Sequence, residues 1–199
     1  MIKNASISNI NDLVIISKKC FGNNYLTYSY FKSSIESETS YCWVKIIEKN
    51  IVAFLIVETM DNQKLSTVFY DYTHWLLNYI ENKGVENNLL IKQIAVLPQF
   101  QNKKIASELL LHLFQTSLVN TDALWCVCWN KKEKNYFITL LEKLQFKHIK
   151  TAIDFWKKDS LIKNYTCTDC QQQPCKCSAS IYFLLASNKM AFSSLLRLS

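Results

Sequence analysis

Apolar positions along this chain switch between a helical and a strand rhythm, and each switch marks an element. After a short apolar stretch, Ala5 to Ile7, residues Leu13, Ile16 and Cys20 share one helical face, and Asn9 or Asn11 is placed to cap its start. A second helix is expected over Leu26 to Glu36, with Tyr28, Tyr30 and Phe31 facing a core or, as the alternative, a pocket. Tyr41 to Ile47 and Ile51 to Glu58 read as two strands around the turn Glu48-Lys49-Asn50, the second rich in β-branched residues. Asp61-Asn62-Gln63 closes that strand, the aromatic-rich stretch Val68 to Ile80 suits a short helix lying over the sheet, and Glu81 to Asn88 reads as a loop.

Leu89 to Leu97 is apolar almost throughout, broken only by Lys92-Gln93, the pattern of a central strand covered on both faces. Pro98 stops it, and Ile105, Leu109 and Leu113 then define an amphipathic helix running to about Val119. A strand (Leu124 to Trp129), a helix (about Glu133 to Leu144) and a strand (Lys147 to Trp156) follow, and a last strand covers Ser178 to Ala186. The helix between Leu89–Leu97 and Leu124–Trp129 is long enough for a crossover between parallel neighbours, and the last two strands are expected to pair antiparallel. The fold class is mixed α/β, a central mixed β-sheet with helices on both faces. The expected organisation is one domain over 1–199, with a cysteine-rich insertion at about 157–177 and a short tail over 188–199 that adds a helix.

The 199 residues suffice to bury a core without disulfides, and two Gly and two Pro leave the turns to Asn, Asp and Ser. The longest apolar runs, Ile51 to Val57 and Ile181 to Ala186, are far too short to span a membrane, and the N-terminus lacks an apolar signal core, so a cytoplasmic location and no membrane partner are expected. In a reducing compartment the eight cysteines read as buried thiols and metal ligands. Cys167, Cys170, Cys175 and Cys177 form C-x2-C-x4-C-x-C, a set of thiolates able to enclose a tetrahedral structural zinc; an iron–sulfur cluster, or disulfides in an oxidising setting, are the other readings. The net charge is +7, and residues 131–176 carry ten Lys against five acids, which suits either a solvated surface or a phosphate-bearing partner. No recognition helix or basic-aromatic motif surrounds the cysteines, so nucleic acid is not the expected partner.

Ile91 to Phe114 carries the clearest chemistry. A central strand, a short loop and a helix start aim successive backbone N–H groups and the positive helix end at one point, where a phosphate binds well. This stretch resembles the acyl-CoA-binding motif of the GNAT superfamily of N-acyltransferases. Ala95-Val96 matches the end of the family's strand, and Gln101-Asn102-Lys103-Lys104-Ile105-Ala106 matches its Gln/Arg-x-x-Gly-x-Gly/Ala loop at Gln101 and Ala106. Ile51-Val52-Ala53-Phe54 resembles the family's third strand, and Leu140 to Phe146 its "fYeklGF" ending. Lys104, Ala53 and Gln145 stand where the family has Gly.

The resemblance implies transfer of an acetyl group from acetyl-CoA to a primary amine of an acceptor by direct attack, in a monomer or homodimer. It implies pantetheine contacts at Ile94, Ala95 and Val96, pyrophosphate contacts at Gln101, Asn102, Lys103, Lys104, Ile105, Ala106 and Ser107, and a further pantetheine contact at Asn130. Tyr136 is the expected general acid, with Phe137 or Leu141 as the alternatives of register. Glu58 is the candidate base, beside Asp71 and His74. The competing readings are an inactive GNAT-like protein and a zinc-dependent interaction or nucleic-acid-binding protein.

Overall fold

The computed structural model describes residues 1–117, 120–130 and 135–189. Its strands are β1 (Ile2–Asn4), β2 (Ser40–Ile47), β3 (Asn50–Met60), β4 (Asn88–Val96), β5 (Ala123–Trp129), β6 (Lys147–Ala152) and β7 (Ala179–Leu185). The helices are α1 (Ile10–Phe21), α2 (Tyr28–Glu36), α3 (Asn62–Val68), α4 (Thr73–Glu81), α5 (Ile105–Thr116), α6 (Tyr136–Lys143) and α7 (Lys157–Ile162). One seven-stranded sheet runs in the order β1-β2-β3-β4-β5-β7-β6. All neighbours are antiparallel except β4 and β5, which α5 joins in parallel.

Alternation along the strands divides the core between the two faces of this sheet. Leu55 and Val57 of β3 and Leu89 and Ile91 of β4 pack against Leu109, Leu110 and Leu113 of α5 and Leu141 of α6. On the other face, Phe54, Ile56 and Ala95 meet Ile10, Leu13 and Phe31 of α1 and α2, while Leu90, Trp125 and Phe183 meet Leu65, Leu76 and Ile80 of α3 and α4. The mixed α/β sheet with helices on both faces is the architecture expected from the pattern.

Several boundaries differ from the expectation for local reasons. Glu48 and Lys49 both take positive φ (47° and 66°), which makes a two-residue hairpin without glycine. Asp61, read as the end of a strand, caps α3 by accepting from the Lys64 amide at 2.7 Å. The aromatic stretch that follows breaks at Tyr70 (φ 48°) into α3, a short 3-10 turn and α4. The strand expected to Trp156 ends at Ala152, because Asp154 (φ 54°) leaves the extended region and the chain enters α7. The expected helix starts near Glu133 and ends near Val119 fall outside the described residues, as does most of the 188–199 tail. No helix among the described residues is long and apolar enough to cross a membrane.

Candidate active site and metal centre

The break at Lys92-Gln93 in the apolar run of β4 is a bulge. Ile56 faces Gln93, whereas Val57 faces Ile91, so Lys92 is the extra residue. Without that insertion Ile94 and Val96 would turn to the opposite face; with it they join the α5 side of the core, and Gln93 faces α2, where Tyr30 OH donates to Gln93 Oε1 at 2.6 Å.

Just past the bulge, β4 and β5 part. Their parallel pairing runs from Asn88–Ala123 to Ile91–Cys126 and stops; beyond it Val127, Cys128 and Trp129 pair only with β7, and Ile94 to Val96 only with β3. Since the Leu97 amide bonds to Val52 O at 2.9 Å, the alternation of the ladder turns the backbone groups of Ile94 and Val96 away from β3, toward the gap. The Val96 carbonyl there accepts from Gln101 Nε2 at 3.0 Å and from the Cys20 thiol at 3.4 Å. A cleft of about 720 Å³ occupies the gap.

The loop after β4 closes one end of this cleft. Its first intrahelical bond is from the Glu108 amide to Lys104 O at 3.0 Å, so the amides of Ile105, Ala106 and Ser107 have no carbonyl one turn back to bond. Thr27, Asp61 and Asn135 cap α2, α3 and α6 with their side chains, but no side chain caps α5. Glu108, the acid of the first turn, is drawn to Lys45. The result is a helix start with its donors and dipole presented to the cleft, flanked by Lys104 and Lys19.

Lys104 takes φ 60°, ψ 7°, the left-handed conformation that favours glycine. Asn102 (φ 59°) in the same loop and Gln145 (φ 63°) share this region. Lys104→Gly is therefore expected to stabilise the fold by about 1 kcal/mol, since left-handed backbone costs a side-chain-bearing residue about that much. Thermal unfolding should show it as a rise of about 2–4 °C; a fall would mean that the Lys104 side chain makes a compensating contact.

The remaining site candidates are distributed as follows. Gln101, Asn102, Lys104, Ile105, Ala106 and Ser107 line the cleft with Ile94, Ala95 and Val96. Lys103 instead lies over the Phe100 ring, 5.2 Å from its centroid. Asn130 spends its amide on Ser178 and Ser180, donating to Ser178 Oγ at 3.0 Å and accepting from Ser180 Oγ at 2.8 Å, and the asparagine after β5 that lines the cleft is Asn135. Tyr136 begins α6 at the cleft and is 63% exposed. Glu58 lies behind the bulge with its two oxygens on Lys64 and Lys92, each at 2.6 Å. Burial alone would raise its pKa, but the hydrogen bonds and charges of the two lysines outweigh burial and hold it below the usual carboxylate value. Glu58 thus reaches the cleft only through Lys92, which lines it.

The four cysteines converge. Their sulfurs all lie within 4.8 Å of one another, with Cys167–Cys177 at 3.7 Å and Cys170–Cys175 at 3.8 Å. A tetrahedral zinc about 2.3 Å from each of four sulfurs spaces them about 3.8 Å apart, whereas a disulfide requires about 2.0 Å. Backbone amides point at the sulfurs as well, Cys170 N to Cys167 Sγ at 3.5 Å and Cys177 N to Cys175 Sγ at 3.4 Å. Burial would raise the Cys170 thiol, but backbone hydrogen bonds from Lys176 and Gln172 push it down to about 7. The residues present therefore fit a tetrahedral, thiolate-bound metal. A buried strut holds them: Ser160 Oγ accepts from the Cys175 amide at 2.9 Å, and Asp159 accepts from Tyr165 OH at 3.0 Å and pairs with Lys163 at 2.8 Å.

Cleft residues that the sequence reading missed include Tyr25, Trp156 and Tyr165, contributed by loops between elements, and Lys19 and Lys143. Only the polar break in β4 could have located them, by marking where the sheet opens.

The profile of the acetyltransferase (GNAT) family matches residues 10–137. A search of curated proteins gives no significant match. Among solved structures, Arabidopsis thaliana NAA60 in complex with acetyl-CoA superposes with a TM-score of 0.66 at 11% identity, covering 94% of this chain and 99% of that one. The ribosomal-protein-S18-alanine N-acetyltransferase from Escherichia coli gives 0.63 at 14% identity, with 94% and 93% covered. The Drosophila melanogaster polyamine N acetyltransferase gives 0.63 at 14%, with 93% and 99% covered. With more than half its length matched by the family profile, and with the splayed strands and uncapped helix start described above, the chain belongs to the acetyltransferase (GNAT) family.

Proposed function

We propose that this protein transfers an acetyl group from acetyl-CoA to a primary amine. The observation that carries the reading is the meeting of an open strand edge and an uncapped helix start on one cleft: the first suits an amide-bearing pantetheine arm, the second a pyrophosphate. Ile94, Ala95 and Val96 would bind the pantetheine, and Gln101, Asn102, Lys104, Ile105, Ala106 and Ser107 the pyrophosphate, with Lys103 as a peripheral charge. Asn130 would act through β7, by fixing the strand that walls the cleft. A bound thioester near the bulge leaves its carbonyl carbon open to a neutral amine from the α1–α2 side. The new C–N bond forms as the C–S bond breaks, the amine gives up a proton, and the departing thiolate takes one up.

Tyr136 is assigned as the donor of that second proton. Tyr136→Phe should lower kcat about 100-fold with little change in KM for acetyl-CoA, consistent with the usual contribution of general acid catalysis; an unchanged kcat would remove Tyr136 from the chemistry. Glu58 is assigned a positioning role in place of a base: its carboxylate holds Lys92 on the bulge. The four cysteines are assigned a structural zinc. None of the eight cysteines is in a disulfide, which suits the reducing cytoplasm.

Calorimetry with acetyl-CoA, followed by thiol release in a panel of primary amines, tests the function. Acetyl-CoA should bind at micromolar concentration, and at least one amine should release CoA. Failure to bind at millimolar acetyl-CoA would end the proposal.

A further inference from the structure

The metal knot is not remote from the cleft. Cys167 and Cys175 line the same 720 Å³ cavity as the phosphate-binding loop, together with Tyr165 and Trp156. On the far side of Tyr165 and Cys167 lies a second cavity of about 500 Å³, lined by Asn23, Asn24 and the knot residues Thr166 and Thr168. Tyr165 and Cys167 belong to the lining of both and therefore stand between them. The knot is pressed closely onto the end of α1: a Cβ added to Gly22 would come within 2.4 Å of Thr168 Cγ2.

Charge along the cleft is one-sided. Lys19, Lys92, Lys104 and Lys143 line it, and no Asp or Glu does so among the described residues. A primary amine arrives largely as a cation at neutral pH, so such a lining offers it no counter-charge. Four thiolates around a divalent ion carry a net charge of about −2. Trp156 gives an independent sign: its indole N–H is buried, lacks an acceptor among the described atoms, and its ring packs against the cysteine cluster. A thiolate-bound metal beside it supplies negative sulfur, a good acceptor for such a donor.

We propose that a divalent metal bound by Cys167, Cys170, Cys175 and Cys177 holds the wall at the acceptor end of the acyl-CoA cleft and gives that wall its negative charge, so that loading of this site sets acceptor binding and leaves acyl-CoA binding unchanged. This rests on the acetyltransferase reading for the identity of the acceptor, but not for the wall itself. The cofactor loop joins β4 to α5, and the knot belongs to neither element; of the knot's four cysteines, Cys167 and Cys175 line the cavity. Loss of the metal frees Cys167 and Tyr165, joins the two cavities, and removes the charge that meets the incoming ammonium. The preferred acceptor is then a monoamine, because further ammonium groups of a polyamine would face lysines.

The test compares zinc-loaded protein, protein stripped of metal by a chelator under reducing conditions, and Tyr165→Ala, which opens the same wall with every cysteine in place. Metal content is measured directly, and acetyl-CoA affinity by calorimetry. Wall integrity is read from iodoacetamide labelling of Cys126 and Cys128, two cleft thiols, mapped by mass spectrometry with CoA bound so that its own entrance is blocked. Acceptor KM is measured with tyramine, spermidine and a peptide bearing a free N-terminal alanine. The expected result is one zinc per chain, acetyl-CoA affinity equal within about twofold in all three forms, and labelling and acceptor KM raised at least about tenfold in both opened forms. Tyramine should be the better substrate over spermidine in the loaded protein. Less than about a tenth of an equivalent of zinc, labelling that does not respond to metal loss, or acetyl-CoA affinity that falls together with the metal would each overturn the proposal. If acetyl-CoA itself fails to bind loaded protein, the transferase reading fails, and labelling without CoA still decides whether the metal holds the wall.

Discussion

Ala106→Asp is expected to weaken acetyl-CoA binding at least about 100-fold, equivalent to about 2.7 kcal/mol. Ala106 lies in the first turn of α5, lines the cleft, and offers an amide with no intrahelical partner. A carboxylate there meets the same helix dipole that attracts pyrophosphate, so it would take the anion's position and repel what remains of it. Like charges a few ångströms apart in a partly dry site interact by several kcal/mol, which makes a factor of 100 a conservative expectation. The fold should survive, because an acid near a helix N-terminus is itself favourable. Calorimetry together with circular dichroism separates the two effects. Undiminished affinity in a well-folded variant would mean that the phosphates bind elsewhere.

The largest effect on stability is expected at Trp125. It is fully buried on β5, on the sheet face opposite α5, and its ring lies 4.8 Å from Phe183, 6.0 Å from Phe69 and 6.0 Å from Tyr79 between centroids. Its indole N–H donates to Asn88 Oδ1 at 2.7 Å, and Asn88 in turn donates to Asn62 Oδ1 at 2.8 Å. Trp125→Ala removes the ring, opens a cavity among aromatic neighbours and leaves a buried amide oxygen without its donor, for a combined loss of about 4 kcal/mol. In a chain of this length that lowers Tm by about 8–16 °C. Differential scanning calorimetry would detect it, and a change below about 1 kcal/mol would show that the aromatic cluster closes over the gap. Because Asn88 and Ala123 begin the short parallel contact of β4 with β5, cofactor affinity should fall as well.

Local rules in the sequence reached the strands and the strand–loop–helix order of the candidate site but not their mutual placement. The apolar runs over 51–57 and 89–97 identified β3 and β4, because a strand buried on both faces leaves little choice of residue. The strand, loop and helix start over Ile91 to Phe114 were legible because they depend on element order, and the structure brings Gln101 to Ser107, Lys103 excepted, to the cleft. The partners of Asn130 and Glu58 were not, because tertiary contact sets them: Ser178 and Ser180 for the first, Lys64 and Lys92 for the second. The four cysteines were legible as a set by spacing alone. Their place beside the cleft was not, since it follows from α7 and the Asp159–Tyr165 contact, and the polar stretch containing α7 carried no periodic signal.

The interior position of β7 has a consequence for how the chain is made. Strands β1 to β4 pair mostly with sequence neighbours, so that half of the sheet can assemble while synthesis continues. The far edge of β5 cannot, because its partner is β7 and not β6. Until residues near 185 have left the ribosome, β5 presents an open ladder of backbone groups and the thiols of Cys126 and Cys128, and β6 has no partner at all. The four cysteines are translated just before β7, so metal capture there would shorten the effective loop between β6 and β7 at the moment the last gap in the sheet has to be filled.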